Sequence, residues 1–150
     1  MAGSVRARAT SPAAPSGAVI EVDVLGASLP PDAPPPSEVT RLCVLAAASA
    51  GIDDGHLAIE YVDSNRIAEL NVEHRGRASP TDVLSFPIDG VAAQGDVPRE
   101  LGDVLICPEH TADLREAIVH GVLHLVGMDH ETDDGEMLTL QARLLDRENA

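Results

Sequence analysis

Apolar runs of strand length alternate along this chain with runs of helical period, and that alternation restricts the fold to a sheet layered with helices. Val19, Ile20, Val22 and Val24 suggest a first strand over 18–25. The proline-dense stretch 29–36 (LPPDAPPP) forbids regular structure and reads as a stiff linker. Ser37 is the expected N-cap of a helix over 38–50, whose apolar positions Val39, Leu42, Cys43 and Ala46 keep helical spacing and which Gly51 stops. The run 57–62 (LAIEYV) alternates as a strand, and Asp63 or Ser64 then caps a helix over 65–73 with Ile67 and Leu70 facing inward. Strands over 83–88 and 103–107 follow, with Pro87 placing the end of the former at an edge. A helix over 113–126 breaks at Gly127, and a last helix spans 133–147. Four strands and four helices in 150 residues predict one α/β (α+β) domain over 18–150. Residues 1–17, rich in Ala, Ser, Pro and Gly, are expected to form a disordered tail.

Composition narrows the class further. Hydrophobic residues make up 44% of the chain, but the only aromatics are Tyr61 and Phe86, so the core is expected to be Leu, Val, Ile and Ala. No apolar stretch approaches the ~20 residues of a membrane span. Two cysteines, Cys43 and Cys107, make no disulfide framework and read as buried thiols of a reducing compartment. Ten basic residues, all arginine, stand against 25 acidic ones, for a net charge of −15. Such a chain repels a polyanion at long range, which argues against a generic nucleic-acid coat protein but leaves room for a phosphate at one cationic spot.

The stretch 120–130 (HGVLHLVGMDH) concentrates three of the six histidines. His120 and His124, four apart on a helix, lie on the same face one turn from each other. Gly127 can end that helix in a left-handed conformation and turn His130 back to the same point. Three imidazoles converging on one ion leave a fourth position for water, as in catalytic zinc sites. The spacing matches the metzincin zinc proteases, but Gly121 stands where those enzymes carry their general-base Glu. Solvated or hydrogen-bonded structural histidines are the bland alternative; it suits the scattered His56, His74 and His110 better than this cluster. Asp129 could accept a proton or simply orient a ligand.

The stretch 70–87 (LNVEHRGRASPTDVLSFP) places Arg75 and Arg77 just past a helix end. An arginine there is favoured by the helix dipole, and a guanidinium also forks onto phosphate. Residue type alone does not choose between these readings.

On Leu70-Asn71 with Arg75, on PTDVLSFP over 80–87, on LGDVLIC over 101–107 and on the histidine motif over 120–130, the chain resembles the YbeY family of bacterial metal-dependent endoribonucleases. The resemblance implies a small mixed four-stranded sheet with helices packed against it. It also implies one zinc ion per chain on His120, His124 and His130, and catalytic roles for His120 and Arg75. Expected partners are ribosomal RNA and the small ribosomal subunit, with ribosome-associated proteins, and neither membrane nor DNA. The expected setting is the cytoplasm, in processing of the 3′ end of small-subunit RNA and in ribosome quality control. Met128 and His74 stand where the family usually has aromatics, and the 107–120 connection is short. Two other functions compete: a zinc peptidase or amidohydrolase, which Gly121 disfavours, and a non-enzymatic ribosome-associated protein in which zinc is a structural staple with Cys107 as fourth ligand.

Overall fold

The computed structural model describes residues 5–9, 19–26, 30–75, 82–88, 99–128 and 133–149. All four expected strands form and join one mixed sheet. β2 (Ile20–Gly26), β3 (Gly55–Tyr61) and β5 (Glu100–Ile106) run parallel, and β4 (Val83–Pro87) pairs antiparallel with β5. A fifth strand, β1 (Val5–Ala9), pairs antiparallel with β2 and corrects the expectation of a disordered tail over that segment. Its residues extend the sheet through backbone pairing, which requires no apolar pattern, so the composition of the segment concealed it. The strand order is β1-β2-β3-β5-β4.

The helices differ from their sequence limits at the caps. α1 (Pro36–Ala48) takes Pro35 as N-cap with no side-chain cap bond, so Ser37 is a helical residue and not the cap. Pro36 at the first helical position has its φ preset and no N–H left to satisfy, which lets the helix begin earlier. For α2 (Ser64–Arg75) the capping carboxylate is Asp63, whose Oδ1 accepts the Arg66 N–H at 2.7 Å. α3 (Leu114–Leu125) is capped by Asp113, which accepts from the N–H groups of Arg115 and Glu116. α4 (Glu136–Asn149) starts later than expected because Asp133 stays outside it, accepting from Gly135 and Met137.

Alternation along the strands sorts the sheet into two faces. Ile20, Val22, Val24, Leu57, Ile59, Val104 and Ile106 meet α1, α3 and α4 in one aliphatic core that includes Leu42, Ile118, Leu123 and Met137. On the other face α2 covers one end, where Ile67 packs with Leu84 and Cys107. At the opposite end of β3 and β5 the face is polar. His56 Nδ1 lies 2.6 Å from Glu100 Oε2, and its Nε2 lies 2.9 Å from Oδ2 of Asp23, which is 1% exposed. A register shift between His56 and Leu57 pairs Glu100 with His56. His56 is therefore a structural histidine linking β2, β3 and β5.

Candidate metal centre

α3 positions the candidate chemistry because it is pressed unusually close to the sheet. A Cβ built on Gly121 would lie 2.3 Å from Val104 Cγ1 of β5, a distance no side chain tolerates. Ser85 of β4 donates its hydroxyl to the Gly121 carbonyl at 2.9 Å. The residue after His120 thus points into the sheet, and a glutamate there would displace the helix. The departure from the protease pattern is a packing requirement.

With position 121 against the sheet, His120 and His124 emerge half-buried on a neighbouring face. Their ring centroids are 4.8 Å apart and their planes meet at 75°. The turn after α3 then sets the second ring. Gly127 adopts φ +103°, open to glycine and strained for other residues. Its N–H bonds to the His124 carbonyl and the Met128 N–H to the Leu123 carbonyl, which together make a Schellman cap. That turn brings the Met128 carbonyl to 2.9 Å from His124 Nδ1. A carbonyl can only accept, so Nδ1 carries the proton and the lone pair of His124 sits on Nε2. His120 Nδ1 lies 2.8 Å from Oε1 of Gln141 on α4 and is held in the same tautomer. Nitrogen donors of this type, each backed by an oxygen acceptor on Nδ1, suit zinc or a similar divalent ion.

The structure brings together His120 and His124 among the expected site residues. His130 and Asp129 lie outside the described residues, as do Arg77 and the side chains of His74 and Arg75; the backbone of Arg75 closes α2. Cys107 is not gathered with the two histidines. It is buried on the α2 face of the sheet, where burial pushes its thiol pKa up. Among the described residues no group of three or more His, Cys, Asp or Glu side chains is arranged to hold a metal ion, so the reading of Cys107 as a structural zinc ligand finds no support. The short connection to α3 holds a 3₁₀ turn over Pro108–His110. It is tied to the start of α2, where Glu109 accepts the Ser64 N–H and Ser64 Oγ meets His110 Nε2, both at 2.9 Å.

Sequence reasoning missed Gln141, Ser85 and the Met128 carbonyl. Gln141 left a signal, being a polar residue in the otherwise apolar row of Met137 and Leu144 on α4. The carbonyl followed from Gly127. Because Met128 acts through its backbone, the loss of an aromatic side chain there leaves this contact in place.

Fold and site define a small mixed-sheet α/β domain with two paired imidazoles on one helix, oriented by a turn and by the helix that follows. The chain belongs to the Endoribonuclease YbeY family, whose model matches residues 37–149. It is 38% identical over 117 residues to an endoribonuclease YbeY of Rubrobacter xylanophilus, covering 74% of this chain and 83% of that one. With an endoribonuclease YbeY of Salinispora tropica it shares 39% identity over 138 residues, covering 73% and 88% of the two chains. A solution structure from Thermotoga maritima, 27% identical, covers 86% of this chain and 88% of its own at a TM-score of 0.47.

Proposed function

We propose that this protein is a zinc-dependent endoribonuclease that cuts single-stranded RNA during ribosomal RNA processing, at the 3′ end of the small-subunit RNA, and in ribosome quality control. Family membership supports the endoribonuclease role. The observation that carries the metal dependence is the pair of imidazoles on α3 whose Nδ1 atoms are each engaged by an oxygen. His120, His124 and His130 would hold the ion, one per chain. When bound, it supplies Lewis-acid polarisation of a phosphoryl oxygen and water of lowered pKa. His120 and His124 contribute Nε2 lone pairs in a preset orientation. The Arg75 guanidinium binds a phosphoryl group through its fork of donors and stabilises the charge that develops there. With no carboxylate at position 121, the proton passes to a substrate phosphate oxygen or to a carboxylate elsewhere. The peptidase alternative loses its general base to the packing of Gly121 on Val104. No helix among the described residues is long and apolar enough to cross a membrane. The reading places the protein in the cytoplasm with the small subunit and its proteins as partners, and with no role on DNA.

The test is cleavage of a structured ribosomal RNA fragment and of intact small subunits by purified protein, with a chelated sample and His120→Ala as controls. Both controls should abolish cutting; activity that survives them belongs to a contaminating nuclease. Arg75→Ala should lose on the order of 10²–10³ in rate with zinc content unchanged, whereas Arg77→Ala should change little. No cleavage in any context with zinc fully loaded would favour a structural role on the ribosome.

A further inference from the structure

We propose that Gln141 is a positioning residue that selects the tautomer of His120 and thereby sets the affinity of the centre for its metal; this rests on the metal-binding reading above. The two histidines are held by unlike acceptors. His124 is fixed by a backbone carbonyl, which cannot reverse its polarity. His120 is fixed by a side-chain amide, which offers an acceptor oxygen on one edge and a donor NH₂ on the other. With Oε1 toward the ring, Nδ1 is protonated and the lone pair lies on Nε2. With the amide turned over, the lone pair would be drawn to Nδ1 and Nε2 would carry a proton, which removes a metal ligand. One side chain outside the coordinating set therefore decides whether His120 can bind.

The placement of Gln141 is built, not incidental. The Asp133 carboxylate anchors the start of α4 by accepting the N–H groups of Gly135 and Met137. Met137 is fully buried, and Gln141 follows one turn later on the same row, with Leu144 buried beyond it. Gln141 itself is 7% exposed and spends its buried amide oxygen on the ring. A residue needed only to fill that row would be apolar. The contact also makes α4 part of the centre, joining it to α3 at the first histidine.

The test compares wild-type, Gln141→Leu and Gln141→Glu proteins in zinc affinity, by chelator competition, and in the tautomer of His120 without metal, by nitrogen–proton correlation spectra. Leucine keeps the volume and removes the acceptor, so zinc affinity should fall about 10- to 100-fold, the usual cost of losing such a partner. Glutamate offers an acceptor on either edge, so affinity should hold within a few-fold or rise. Metal-free wild-type protein should show His120 protonated on Nδ1, and Gln141→Leu should shift that ring toward the Nε2–H form. A purely structural role would lower thermal stability without moving either signature. Unchanged zinc affinity in Gln141→Leu, a tenfold loss in Gln141→Glu, or an Nε2–H ring in the wild type would overturn the proposal. If Gln141→Leu does not fold, the glutamate variant and the wild-type spectrum decide. A wild-type protein that takes up no zinc would refute the metal reading, and the tautomer alone would then judge Gln141.

Discussion

His56 meets a carboxylate oxygen at each ring nitrogen, Glu100 at Nδ1 and Asp23 at Nε2. Both acceptors lack protons when ionised, so the ring satisfies them only as the doubly protonated cation. Burial lowers its pKa, but the hydrogen bonds from Asp23 and Glu100 and their charges outweigh that and raise it above the ordinary 6.5. Asp103, on the same face, is pushed up by burial and then by the Glu100 charge, with His56 opposing. A group whose folded pKa is raised stabilises fully below its unfolded pKa and loses that stabilisation as pH rises through the folded value. For His56 the window opens near pH 6.5 and runs upward. The unfolding free energy from denaturant titration should therefore decline as pH rises from there, and His56→Gln should flatten the decline. At pH 6 the same variant should be less stable by roughly 1.5–3 kcal/mol, the scale of hydrogen bonds to charged groups. A slope that survives the substitution would place the titrating group elsewhere. The structural reading of His56 was open to the sequence, but its partners were not, because Asp23, His56 and Glu100 are distant in sequence and a register shift pairs the last two.

At the scale of elements, the seating of α3 on β5 is the contact on which the site depends. Gly121→Ala adds one methyl where Val104 Cγ1 already stands. Overpacking of this kind typically costs about 1–3 kcal/mol. We expect Gly121→Ala to lower stability by that amount, and Val104→Ala combined with it to recover more than the sum of the single effects allows. Chemical denaturation of the four proteins of the cycle measures both; simple additivity would contradict the packing described. The histidine pair itself was readable, since its spacing is local and helical. So were a cap at Asp63 or Ser64 and the stop at Gly127, whose causes lie within a few residues, whereas Asp113, read as the first helical residue, is the cap itself. Ser37 misled because proline at the next position back already satisfies the helix start. Gln141 stood out as a polar residue in an apolar row, but its partner was not readable, because that depends on α4 crossing α3 and no local rule encodes the crossing.

For the whole molecule, the sequence carried the mixed layering of strands and helices but not the outer strand β1, which sheet pairing alone recruits. The charge of −15 acts at the same scale. At about 0.01 M salt the field reaches about 30 Å, and at about 0.15 M about 8 Å. Cleavage of a short single-stranded RNA below saturation should therefore quicken as salt rises across that range, because screening relieves repulsion between two polyanions. A steady fall instead would mean that counterion release at local arginines dominates the encounter. The strand order has a consequence for biosynthesis. β5 lies between β3 and β4 although it follows both in the chain, so β4 has no partner and β3 has only β2 until residue 106 has been made. Non-local parallel pairing of this kind is slow, and it leaves the inner edge of β3 open on the growing polypeptide. His120 and His124 lie on the helix translated after β5, so the histidine pair takes shape only once the sheet is complete. Substitutions that weaken β5 on the face turned away from α3 should therefore appear first as poor yield and aggregation during synthesis, while the molecules that do mature retain full activity.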